Sequence, residues 1–145
     1  MIQVPAAAQP SRIVFSLPEG REQVNPSPDS LRELVLSRGD DFWAAGSGQA
    51  ALEFKGADGG SRLLLTGLDK AGFFLIYEPS KGDSLCSVNP SAAPKEQDLV
   101  TVYVGGEPME VSRQNFLNKE TAWRVIGDFL HDGQPSLRVG WEAWL

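Results

Sequence analysis

The sequence predicts a single α+β domain: a twisted, mostly antiparallel sheet with two helices packed on one face. Three observations lead there. Short β-rich runs recur along the chain, each closed by Gly, Pro, Asn or Asp. Two stretches carry apolar residues at helical spacing behind good N-caps. The length, 145 residues, is close to the commonest domain size, so 1–145 is expected to share one core, with 1–10 as a loose tail. A chain of this size buries roughly 68–70% of its unfolded surface, enough to fold without metal or crosslinks.

The elements follow in order. Arg12-Ile13-Val14-Phe15-Ser16-Leu17 is β-rich and stops at Pro18-Glu19-Gly20, giving a first strand. Asn25-Pro26-Ser27-Pro28 breaks the chain; Ser27 is placed to cap a helix over about 28–38, with Pro28 at its first position. Leu31, Leu34 and Val35 form its apolar stripe, and Arg38-Gly39 sits where it ends. Strands are expected at Ala50–Lys55 and Arg62–Thr66, around the turn Gly56-Ala57-Asp58-Gly59-Gly60. Phe73-Phe74-Leu75-Ile76-Tyr77 lacks polar alternation, which suits a central strand buried on both faces, or one twisted into the core. Glu78 to Pro94 reads as a long loop with a short strand around Leu85–Val88. Leu99–Val104 is a strand, turned by Gly105-Gly106 into Glu107–Val111. Asn118 caps a second helix whose stripe, Ala122, Val125, Ile126, Phe129 and Leu130, faces the sheet. Gly133 stops it, and Leu137–Trp144 alternates at period two as a last strand.

Composition narrows the function. Thirteen basic against nineteen acidic residues give a formal net charge of -6, a balance that repels phosphate backbones and anionic lipid. Direct nucleic-acid binding and membrane binding are therefore disfavoured, and a basic partner would be attracted. One cysteine, Cys86, cannot make an intramolecular disulfide and argues against a Cys-based zinc site. Met1–Ala8 does not read as a signal peptide. The longest apolar run, Phe73 to Tyr77, is far too short to span a bilayer. The expected compartment is the cytoplasm.

The residues that could carry catalysis are few. The single histidine, His131, falls in the last turn of the second helix, where the helix dipole favours it without any catalytic role. Gly46-Ser47-Gly48-Gln49-Ala50-Ala51 superficially matches a dinucleotide fingerprint, but it precedes a strand and reads as a turn. Asp40-Asp41 and Asp58 lack the spacing of a calcium loop. No catalytic residue, cofactor or metal is expected. The rival from another class is a small hydrolase using Cys86 or a carboxylate pair drawn from Glu53, Glu78, Glu107, Glu110 and Glu142. Among the four tryptophans, Trp141 and Trp144 should point to opposite faces of the last strand, and Trp123 sits one position off its helix stripe.

The second half of the chain resembles the Immunity-one family of bacterial polymorphic toxin systems. The resemblance lies in Tyr103-Val104-Gly105-Gly106-Glu107-Pro108-Met109-Glu110-Val111, the helix with Ala122 and Phe129, Gly133-Gln134-Pro135, and Trp141-Glu142. Gly72-Phe73-Phe74-Leu75-Ile76-Tyr77 is similar to the family's central strand. The likeness covers about residues 49–145; the Pro/Ser-rich loop 79–97 and the N-terminal extension depart from it. It implies a cytosolic antidote that binds a cognate toxin domain, of a kind with basic, zinc-dependent deaminases acting on DNA. Inhibition would come from occluding the toxin's active site or nucleic-acid groove. The candidate partner-binding residues, chosen as acidic or aromatic groups on loops and strand ends, are Glu78, Asp83, Glu107, Glu110, Trp141, Glu142 and Trp144. A third reading is an effector chaperone or adaptor that binds without inhibiting.

Overall fold

The computed structural model describes residues 12–56, 59–91, 99–104 and 106–144; the tail expected at 1–10 lies outside them. Two hairpins and their neighbours build the main sheet. β1 (Arg12–Ser16) pairs antiparallel with β2 (Glu22–Val24) on one side and with β3 (Ala50–Gly56) on the other. β4 (Gly59–Leu68) and β5 (Gly72–Glu78) continue the meander. β6 (Leu85–Val88) then pairs with β5, and β10 (Gly140–Ala143) closes the far edge on β6. The resulting order is β10-β6-β5-β4-β3-β1-β2, with the short β9 (Phe116–Leu117) also on β5. A separate two-stranded sheet consists of β7 (Leu99–Val104) and β8 (Glu107–Ser112).

The predicted class is therefore observed, with four refinements. The hairpin β7–β8 is not in the main sheet but lies across its second face. A third, four-residue helix appears, because Asp40 and Asp41 favour a helix start and let Trp43 reach the core. The last strand begins at Gly140 rather than Leu137, because Gly133-Gln134-Pro135 and the turn after it hold Leu137 out in solvent, 98% exposed. The edge strand β2 is not foreseen by the sequence pattern: its three exposed residues carry no burial signal to detect.

Both long helices form where the caps dictate. α1 (Pro28–Ser37) begins on Ser27, whose Oγ accepts from the Ser30 N–H at 3.1 Å. α2 (Asp40–Trp43) follows it, and Trp43 packs edge to face on Phe73, ring centroids 4.9 Å apart. α3 (Lys119–Asp132) begins on Asn118, whose side chain accepts from the Thr121 N–H at 2.8 Å. It ends at Gly133 with φ +72°, where a side chain would also strike Phe54, an ideal Cβ lying 2.5 Å from that ring.

β5 divides two cores. Phe73, Leu75 and Tyr77 face the helices and pack with Leu52, Leu63, Leu65, Val125, Ile126 and Phe129. Phe74 and Ile76 face the other way and pack with Leu64, Cys86, Val102, Val111 and Phe116. The unbroken apolar run thus serves a strand covered on both sides, as its lack of alternation predicted. Gly72 starts it at φ +96°, letting the Leu117 carbonyl approach to where any Cβ would sit. Among the described residues no helix is long and apolar enough to cross a membrane.

Candidate functional site

β5 has two neighbours on one edge, β9 beside Phe73-Phe74 and β6 beside Ile76-Tyr77. A ladder interrupted in this way leaves main-chain groups to satisfy. Ser87 fills the gap: its Oγ accepts from the Leu75 N–H at 3.2 Å and donates to the Asn115 carbonyl at 2.8 Å. Asn115 ends a 3-10 turn, Arg113–Asn115, that follows β8. Its Nδ2 donates to the Ser87 carbonyl and to Glu142 Oε1, each at 2.9 Å. Ser87 and Asn115 are buried, so this node fixes β6, β9 and β10 to one another.

Above the node lies an open cleft of about 340 Å³ between β8 and the β6/β10 edge. Cys86 and Asn115 form part of its floor; Met109, Glu110, Glu142 and Trp144 line its sides. Register places these side chains together. Glu142 pairs with Cys86 across β6/β10, so both project to the hairpin side of the sheet. Trp144, two residues on, does the same and packs its ring 5.2 Å from Phe74. Among the described residues the lining carries two carboxylates and no lysine or arginine. Glu142 is held by Asn115 through one oxygen only.

The Cys86 thiol is pushed up to about 11, first by burial and then by the Glu142 charge. It stays protonated near neutrality, the opposite of what a nucleophile needs. His131 is far from partnering it. That side chain lines a different cleft, on the helix side, with Asp128, Asp132 and Arg138. There Asp128 is held below its ordinary range by hydrogen bonds from Arg138, at 2.8 Å, and Ser136, at 2.7 Å. A Cys86–His131 dyad is thus not assembled. Gly46 to Gln49 forms a turn entering β3, as expected, and not a strand-to-helix phosphate loop.

The seven candidate partner-binding residues do not form one patch. Glu110, Glu142 and Trp144 share the cleft. Asp83 is exposed on the loop before β6, and the Trp144 N–H bonds to the adjacent Ser84 carbonyl at 3.0 Å, so Asp83 lies at the same sheet end. Glu78 is engaged by Arg62, whose Nε donates to it at 2.8 Å. Glu107 is exposed beside the hairpin turn. Trp141 belongs to the opposite face: it packs near Tyr77 and donates from Nε1 to the Ser136 carbonyl at 2.8 Å. The expected divergence of Trp141 and Trp144 holds, with each ring covering a different core.

Two residues outside that set are exposed on the hairpin. Tyr103 and Leu99 lie on the outward face of β7, 50% and 59% exposed, while Val102 points into the core. The alternation Leu99-Val100-Thr101-Val102-Tyr103 is the sequence signal that could have found them, since every second residue must face away from whatever β7 covers. No protein-family model matches the chain, and a search of curated proteins finds no significant match.

Proposed function

We propose that this chain is an immunity protein that binds a cognate toxin domain in the cytoplasm and inhibits it by covering its active site or nucleic-acid groove. The toxin is a basic, zinc-dependent deaminase acting on DNA. One observation carries the reading: Glu110, Glu142 and Trp144, expected from sequence to bind a partner, line a single open cleft with no cation among its described residues. A protein that grips a polyanion presents a basic face, and an acidic cleft with an aromatic wall is complementary to it. Trp144 and the exposed Tyr103 supply the kind of anchors that dominate interface energetics. Nanomolar affinity, the least an antidote needs, corresponds to about -12 kcal/mol.

The carboxylate pair also keeps a hydrolase in view, because Glu110 and Glu142 line the same cleft. Against that reading, the cleft is open and one Glu142 oxygen is committed to Asn115. An adaptor would bind the same partner without protecting the cell. Co-expression with a candidate cognate toxin separates the three. The antidote rescues growth, and the double variant Glu110→Lys/Glu142→Lys associates about tenfold more slowly at low salt, a deficit that shrinks as salt is added. Failure of the wild-type chain to rescue would overturn the proposal.

A further inference from the structure

We infer that the outer edge of β10 is a strand-addition site, built to take an extended, basic segment of a partner protein as the next strand of the main sheet. The inference rests on the proposed function only in taking the partner to be basic; the edge is a property of this chain alone.

The main-chain geometry is fixed by the register. The Trp144 N–H bonds to the Ser84 carbonyl, and Gly140, Glu142 and their partners Val88 and Cys86 continue that ladder. In an antiparallel pair the main-chain groups of successive residues alternate in direction. Those of Trp141 and Ala143 therefore point away from β6, and no neighbouring strand meets them among the described residues. Such an edge is a template for another chain. Gly140, Glu142 and Ala143 are exposed, so an incoming strand meets no side-chain cover from the described residues.

What distinguishes this edge from the opposite one is the relief beside it. Among the described residues β2 is also unpaired on its outer side, but it has only three residues and is closed by Pro26. Beside β10 lies the cleft lined by Glu110, Glu142 and Trp144. A strand added there would carry alternate side chains on the hairpin side, next to Glu142 and Trp144 and facing Glu110. Lysine or arginine at those alternate positions would meet two carboxylates and an aromatic ring. A second copy of this chain would bring Glu142 towards Glu142, a like-charge contact that disfavours it as the occupant. The same edge therefore supplies main-chain affinity and a sign preference.

The test uses the full chain, labelled with 15N, and a capped peptide of alternating Lys and Val as probe. Binding is expected to slow hydrogen exchange at the Trp141 and Ala143 amides at least about tenfold at saturation. A Glu-Val counterpart, or the Lys-Val peptide N-methylated at alternate residues, should give no protection. Ala143→Pro removes one outward N–H while leaving the β6 ladder intact, and should weaken peptide binding about tenfold or more at an unchanged unfolding midpoint. If that variant does not fold, the N-methylated peptide makes the same discrimination on the wild-type chain. The inference is overturned by absence of peptide binding at millimolar concentration, by binding that leaves the two amides unprotected, or by equal binding of the N-methylated probe. Protection without peptide, appearing with a dimer by sedimentation or vanishing when residues 1–11 are deleted, would assign the edge to a second copy or to the chain's own N-terminal segment and overturn it too. Each outcome is independent of the growth rescue that tests the antidote function.

Discussion

The two faces of the sheet are built on different principles. The helix face is large, closed and almost wholly apolar, with Phe15, Phe73, Leu75, Ile126 and Phe129 among its buried side chains. The hairpin face is smaller and is covered by two strands rather than by helices, and it adjoins the Ser87–Asn115–Glu142 node and an open cleft. One strand, β5, serves both by sending Phe73, Leu75 and Tyr77 one way and Phe74 and Ile76 the other. The difference teaches where stability resides and which face is left open. A dry interior resists water and partners alike, whereas a half-open face with an anchored carboxylate, Glu142, can exchange solvent for another surface.

Four experiments would break or sharpen that contrast, and the first bears on the helix face. Phe129→Ala should cost about 3–5 kcal/mol, because it removes a fully buried ring from beneath Phe54 and Tyr77. Denaturant unfolding measures it; a loss under about 1 kcal/mol would mean that this face is not the principal core. The second concerns Cys86. Its folded value of about 11 lies above its ordinary 9.0, so the folded state keeps a proton that the unfolded chain gives up. Stability contributed by the neutral thiol is complete below pH 9 and lost as pH rises towards 11, by about 2–3 kcal/mol. Burial raises Tyr77 as well, which steepens the decline above pH 10.0. Cys86→Ala should flatten the pH 9–11 part of the urea-measured profile, and an unchanged slope would contradict the environment described.

The third prediction places the hairpin face lower on the same scale. Val102→Ala should cost about 1.5 kcal/mol by lost transfer alone, well under the Phe129 figure. Equal losses at the two positions would erase the distinction between the faces. The smallest effect is expected at a cap. Asn118→Ala should cost about 1 kcal/mol, since the Thr121 N–H loses its acceptor at the start of α3. Thermal unfolding resolves that much in a domain of this size.

Much of the helix face is legible in the sequence because its signals are local. Ser27 and Asn118 announce their helices within four residues, and the Val125–Ile126–Phe129 stripe states which side is buried. Strand order follows from consecutive hairpins as far as β5. The hairpin face is less legible, for a physical reason. Residues 99–111 betray a hairpin by alternation and Gly105-Gly106, but nothing local says whether that hairpin extends a sheet or crosses one. Asn115 likewise carries no sequence sign of its role, which arises only when β6, β9 and β10 converge. Residue type alone points to Glu110, Glu142 and Trp144 but cannot separate them from Trp141, which register sends to the other face. Leu137 resembles a strand residue because alternation continues through it; the turn after Pro135 overrides the pattern.

The hairpin carries one more consequence. Leu99, Thr101, Tyr103 and Glu110 project outward from strands whose alternate residues, Val100, Val102, Met109 and Val111, hold the core beneath. Substitutions at exposed positions of that kind usually change stability by no more than about 0.5 kcal/mol. The lettering on this side of the molecule can therefore be rewritten while the page stays intact, so the scaffold tolerates many different outer surfaces.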